Sequence, residues 1–338
     1  MTIKQIAEQA NISIGTVDRV LHHRGGVNKE TEELVLRIAR EHGYQANQFA
    51  RNLKLGKQYH FAILLPYFQS ESNYWELVHT GIEKAAKELS SLSVHIDYYP
   101  FDRTKRKEFG LQLEALLSHH PDALLLAPPG KEEMQELVSL KDLPPTCTID
   151  SSSPLFSPIS AIAQDPYRGG FIAGKMSRLL AKGNGRYVCL QIHPDAFNSM
   201  ERARGFHDNI AEDGKDTVID FTFLHPEDPT ELDDLFKEHD DIIGIFTTNS
   251  ITCTIADYLE SHHLRKKVTL VGYDLVPQNK EALEKGTIDC IISQRPAYQG
   301  YVAVNQLYKH VVLGQNPDKK TEIPIDIFFK ENLIETDD

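Results

Sequence analysis

Apolar positions along the first forty residues return every three or four places. Ile3, Ile6, Ala7 and Ala10 fall on one face of a short helix that Thr2 is placed to cap, and Asn11-Ile12 then breaks the pattern. Ser13 starts a second helix in which Val17, Val20 and Leu21 turn inward while Ile14, Gly15, Asp18 and Arg19 turn outward. The loop His22-His23-Arg24-Gly25-Gly26-Val27 follows, and Asn28 caps a third helix. Glu30, Glu32 and Glu33 suit that helix's positive end, Leu34, Val35, Ile38 and Ala39 pack it on the other two, and Gly43 ends it. Two short helices joined by a tight turn, the second presenting small side chains and an arginine, make a shape that fits a DNA major groove.

From Tyr59 the period changes. Short apolar runs at 60–66, 93–99, 123–127 and 146–150 read as buried strands, separated by helical patterns at 74–90, 106–118 and 131–140. Gln164-Asp165-Pro166-Tyr167-Arg168-Gly169-Gly170 opens a further helix, and strands are predicted again at 186–192, 218–223, 242–247, 267–271 and 288–293. Strand and helix alternating over so long a span imply an α/β body with parallel sheets covered on both faces.

Composition changes this picture in one respect. The 338 residues carry a net charge of -13, which would argue against nucleic acid if it were evenly spread. Residues 1–60 hold nine Lys+Arg against six Asp+Glu, a balance of +3, and the remainder holds 27 against 43, a balance of -16. The positive share sits on the predicted DNA-reading helices. The chain enters a helix directly, with no charged leader or cleavage site, and no apolar run approaches the roughly 20 residues needed to cross a bilayer, so a cytoplasmic protein with no membrane partner is expected. Cys147, Cys189, Cys253 and Cys290 are too scattered for a zinc set and read as reduced core residues; the histidine doublets at 22–23, 119–120 and 262–263 share no ligand spacing. No metal or cofactor is implied, and no phosphate loop, nucleophile elbow or zinc helix suggests an enzyme.

Residues 2–21 are similar to the helix-turn-helix head of the LacI family of bacterial transcription regulators, whose signature runs about T-x-K-x-(I/V)-A and then S-x-x-T-V-S-R-V-L. Thr2, Lys4, Ile6, Ala7, Ser13, Thr16, Val17, Arg19, Val20 and Leu21 match, and Asp18 stands where the family has Ser. The resemblance implies phosphate contacts from Ser13 and Thr16, and base edges facing Ile14, Gly15 and Arg19, with Arg19 meeting a guanine; Thr2 and His22 also fall within its DNA-contacting set. Gly15 has no reading side chain, which shifts specificity to Ile14, His22 or DNA shape. Tyr44 to Leu53 resembles the family's hinge, Y-x-P-N-x-x-A-R-x-L, with Ala46 in place of Pro. By that resemblance 47–58 is a hinge helix formed on the operator, contacting it through Asn47, Ala50, Arg51 and Lys54, with Leu53 as a minor-groove wedge; a linker docked on the next domain is the alternative.

The body resembles the periplasmic sugar-binding fold that forms the core of the same family. The implied organisation is a head at 1–46, a hinge at 47–58 and a body at 59–338, in two doubly wound parallel-sheet subdomains. These span about 59–163 with 293–324, and 164–292 with 325–338, the chain crossing near Ala163, Ser293 and Pro324. A ligand would sit between the strand ends of both. Ser72, Tyr74 and Trp75 match the loop where ribose-type binders place aromatic rings, Trp75 being free to stack on a sugar. Asp150 and Gln164 follow from the first half, and Ser151 stands where ribose binders often have Arg, against ribose itself. Arg202 matches the R-x-x-G-(F/W) element, and Asn249, Tyr273, Asp274 and Gln294 complete the set.

The implied function is that of a dimeric, sugar-responsive repressor released from a palindromic operator when a sugar binds. Co-repression is the other logic open to the family. A sugar-binding transport component and a sugar-processing enzyme are the alternatives from other classes, Asp150 and Asp274 being the pair the latter would need.

Overall fold

A computed structural model describes residues 2–21, 25–42, 57–68, 73–140, 142–212, 214, 217–226 and 228–333, without the side chain of Arg106. It divides into two compact units, 1–57 and 58–338.

In the first unit, helices α1 (Ile3–Ala10), α2 (Ile14–Leu21) and α3 (Lys29–Glu41) enclose a small core of Ile6, Ala7, Val17, Val20, Val35 and Ile38. Thr2 and Gln5 form a reciprocal cap, the Thr2 amide donating to Gln5 Oε1 at 2.8 Å and the Gln5 amide to Thr2 Oγ1 at 3.3 Å. The turn into α2 is made by Asn11, left-handed at φ 52°, a conformation asparagine tolerates better than most residues. Asn28 Oδ1 accepts the Thr31 amide at 2.8 Å and starts α3.

The second unit holds two six-stranded sheets. In the first, β1 (Tyr59–Leu64), β2 (Val94–Tyr98), β3 (Ala123–Leu126), β4 (Thr146–Ile149), β5 (Ser160–Ala163) and β11 (Lys320–Glu322) run parallel in the order β11-β5-β4-β3-β1-β2. In the second, β6 (Arg186–Gln191), β7 (Val218–Thr222), β8 (Ile242–Thr247), β9 (Thr269–Tyr273), β10 (Cys290–Ser293) and β12 (Asp326–Phe328) lie in the order β12-β10-β9-β8-β6-β7, only β12 being antiparallel. Cys147, Cys189 and Cys290 are fully buried on central strands, and burial raises all three thiols, Cys147 and Cys290 to about 12.

The chain passes between the lobes three times, after Ala163, after Ser293 and between Glu322 and Asp326. Helix α12 (Pro296–Val311) thereby packs on α4 (Tyr74–Leu89) in the first lobe, although it follows a strand of the second. Three expectations are corrected in detail. Strands β5, β11 and β12 were not predicted: β5 holds only Ile162 as a large apolar residue, and β11 and β12 are half-exposed runs of three. The predicted strand at 267–271 lies at Thr269–Tyr273, since Lys267 is exposed and burial is unbroken only from Val268. Trp75 sits in the first turn of α4 and not in a loop.

Candidate functional site

In the head, burial of Val17 and Val20 turns the opposite face of α2 to solvent, where Gly15 and Arg19 are exposed and Ile14 is 52% exposed. Ser13 caps α2, its Oγ accepting the Thr16 amide at 3.1 Å and lying 2.8 Å from the Thr16 hydroxyl. His22, Asn47, Ala50, Arg51, Leu53 and Lys54, with Ser72 of the ligand set, lie outside the described residues, as does the predicted hinge up to residue 56.

In the body, the parallel strands of both lobes end at one cleft. Asp150 directly follows β4 and Asp274 directly follows β9, both left-handed, at φ 65° and 67°. A backbone that L-residues avoid persists only where its surroundings fix it. Here two buried amides do so: Gln299 Oε1 accepts the Asp150 amide at 2.9 Å, and Asn279 Nδ2 donates to the Asp274 and Ser250 carbonyls, each at 2.9 Å.

The carboxylates are knit together. Tyr74 donates its hydroxyl to Asp150 Oδ1 at 2.9 Å, and Asn198, on the opposite lobe, donates to Asp150 Oδ2 at 3.0 Å. Gln294, just past the second crossing, donates from Nε2 to Asp150 at 3.2 Å and to Asp274 at 2.9 Å. Arg202 is buried in helix α8 (Phe197–Ala211), its Nη1 donating to the Thr248 carbonyl at 2.8 Å and its guanidinium 3.7 Å from the Tyr273 ring centre. Its Nε and the Asn249 Oδ1 are buried without a partner, donor and acceptor capacity that a polyol could use. Gly170, in helix α7 (Pro166–Leu180), places that arginine: a Cβ there would fall 1.8 Å from the Arg202 carbonyl oxygen, so only glycine lets the two helices approach so closely.

Burial pushes the Asp274 carboxyl up to about 7, with Arg202 and the Gln294 hydrogen bond opposing and Asp150 adding to the rise. Tyr74 is raised well above its ordinary value by burial and by Asp150, so it remains a hydroxyl donor. Burial works against the Arg202 cation, but Tyr273, Asp274 and Asp150 outweigh it and hold the guanidinium charged.

Of the predicted ligand residues, the structure gathers Tyr74, Trp75, Asp150, Arg202, Asn249, Asp274 and Gln294 around one recess. Gln164 and Tyr273 do not line it. Gln164 Nε2 donates to the carbonyls of Ser293, at 3.0 Å, and Pro324, at 2.9 Å, while its Oε1 accepts the Tyr273 hydroxyl, so one amide ties all three crossings together. Trp75 is not free to stack as it stands, being 1% exposed with the Arg103 guanidinium 5.3 Å over its ring. The sequence reading missed Arg103, Asn198, Ser199 and Thr248. The last three could have been found from their places at a strand end and in the first helical turn after one, where α/β ligands bind. Arg103 lies in a polar loop that carries no such signal.

This arrangement offers paired carboxylates, amides and a buried guanidinium, the groups that hold a ring of hydroxyls. Residues 61–316 match the model of the periplasmic binding protein domain, and residues 2–47 match that of the bacterial regulatory proteins of the lacI family. The regulator DegA of Bacillus subtilis is 28% identical, the match covering 63% of this chain and 61% of that protein, under two thirds of its length. The ribose operon repressor of Halalkalibacterium halodurans is 23% identical over 98% of this chain and 96% of its own. Among solved structures, a protein of Bacteroides fragilis described as a LacI transcriptional regulator has a TM-score of 0.73 at 27% identity, covering 82% of this chain and 98% of that one.

Proposed function

Because this chain belongs to the LacI family of bacterial regulatory proteins, with a periplasmic-binding-protein domain as its body, we propose that it represses transcription from a near-palindromic operator and releases it when a sugar fills the cleft. It is a regulator and not an enzyme, as its relatives are. The observation that carries the reading is Gln294. It touches Asp150 on one lobe and Asp274 on the other, and it stands at the second crossing, so whatever competes for those carboxylates acts where the lobes pivot. A sugar shifts DNA affinity only by its differential binding to two lobe arrangements, and a hinge contact of this kind supplies the difference.

The protein acts as a homodimer in the cytoplasm, one head per half-site. The exposed face of α2 enters the major groove, Arg19 against guanine and Ile14 against its neighbours, with Ser13 and Thr16 on phosphates. Leu53 is assigned to the minor groove between the half-sites, with Arg51 and Lys54 on the phosphates beside it.

Operator selection from random duplexes, followed by anisotropy titrations with and without sugars, tests this. A near-palindromic site bound at least a hundredfold over random duplex, and weakened by one sugar, is the expected result. Arg19→Ala should abolish that preference while the sugar-dependent rise in melting temperature persists. Equal binding to all duplexes by the wild type would end the reading, and a sugar that tightens DNA binding would replace release by co-repression.

A further inference from the structure

The inner recess opens onto a second chamber. Arg103, His193 and Ala196 line both, so they are two compartments of one cleft. Their sizes differ greatly: about 40 Å³ inside and about 350 Å³ outside. The first is room for a few waters. The second falls within the roughly 300–1,000 Å³ range of pockets that hold whole small molecules.

The outer chamber's chemistry narrows what it takes. Phe101, Phe109, Pro128 and Pro129 give it an apolar wall. Its charges are nearly balanced and partly spent on each other: Arg103, Lys105 and Lys131 stand against Asp102, Glu132, Glu133 and Asp195, and Lys105 is held by Asp102 at 3.0 Å. Glu133 leans over Gly130 at the start of helix α6 (Lys131–Ser139), where a Cβ would lie 2.8 Å from its carboxylate, so that positive end already faces an anion. A phosphate would find no excess of positive charge there. A neutral ring with one apolar face and a rim of hydroxyls suits both wall and charges.

Resting on the sugar-responsive reading above, we propose that the effector is a neutral disaccharide or longer saccharide, one unit held in the inner recess and the next in the outer chamber, with Arg103 at the junction. The inner recess, room for only a few waters while the Arg103 guanidinium covers Trp75, admits its unit by displacing that guanidinium from the Trp75 face, and the guanidinium then donates to the oxygens linking the two rings. Monosaccharides fill only the inner part and gain correspondingly less.

Calorimetric titration of the full-length chain tests this with D-glucose, D-galactose and D-xylose, the disaccharides maltose, cellobiose and lactose, and glucose 6-phosphate. At least one disaccharide should bind ten times or more tighter than either of its constituent monosaccharides. Asp195→Trp, at an exposed position that lines the outer chamber alone, should erase that advantage while leaving monosaccharide affinity within twofold, and Lys131→Trp, from the other lobe, should do the same. Unchanged melting temperatures establish that both variants fold. A monosaccharide or sugar phosphate binding as tightly as every disaccharide, or a disaccharide advantage that survives both tryptophans, overturns the proposal and leaves the sugar-responsive reading standing. No heat from any saccharide overturns both.

Discussion

Two aspartates with matching backbone strain sit at matching strand ends, and their charges set different tests. Asp274 keeps its proton up to about pH 7, while an unfolded aspartate loses it near 3.9. Between those values the folded state binds a proton that the unfolded chain has released, so this contribution to stability is fully present below about pH 4 and is lost as pH rises through 7. Asp274→Asn should therefore flatten the fall in unfolding free energy between about pH 4 and 7, by up to roughly 1.4 kcal/mol per pH unit, in chemical denaturation. It should also melt above the wild type at pH 8, by calorimetry, while losing sugar affinity. At Asp150 the backbone is tested apart from the charge: Asp150→Ala should cost roughly 1–2 kcal/mol through its left-handed φ, Asp150→Asn much less, and both should weaken sugar binding at least tenfold. Asp150, Asp274 and Gln294 were legible because each directly follows a buried apolar run. Gln164 and Tyr273 follow or end such runs too, yet their side chains turn to the crossings, and nothing in a one-dimensional pattern gives that direction.

Among elements, the contact between α7 and α8 governs the site most directly. It is close because glycines face backbone from both sides: Gly205 answers Gly170, its Cβ position lying 2.0 Å from the Tyr167 carbonyl oxygen. Gly170→Ala should cost about 1–3 kcal/mol in chemical denaturation, the helices being forced apart. It should also weaken sugar binding through Arg202, with operator binding retained. The central strands were readable because sheets buried on both faces give continuous apolar runs, as in Ala123–Leu126 and Ile242–Thr247. The short edge strands Lys320–Glu322 and Asp326–Phe328 were not, since half-exposed residues in threes look like loop.

At the scale of the molecule, the two lobes are joined through their crossings, and the Gln164 amide contacts every one of them. Gln164→Leu keeps the volume and removes the bonds. It should leave both sugar and operator affinity measurable while cutting the sugar's effect on operator affinity at least fivefold; anisotropy titrations with the two ligands together read this out, and an unchanged coupling would remove Gln164 from the path. The division into a helical head and an α/β body was plain in the change of period at Tyr59.

Neither lobe is a single stretch of chain. Helix Pro296–Val311 and strand Lys320–Glu322 complete the first, and Asp326–Phe328 completes the second. During synthesis the helical head is therefore finished within the first forty-odd residues, whereas the α/β body stays open in both halves until almost the whole chain has left the ribosome. A nonsense codon between about residue 60 and residue 320 would spoil both lobes at once and spare the three-helix head, leaving a fragment with the proposed DNA-facing helix and no ligand cleft.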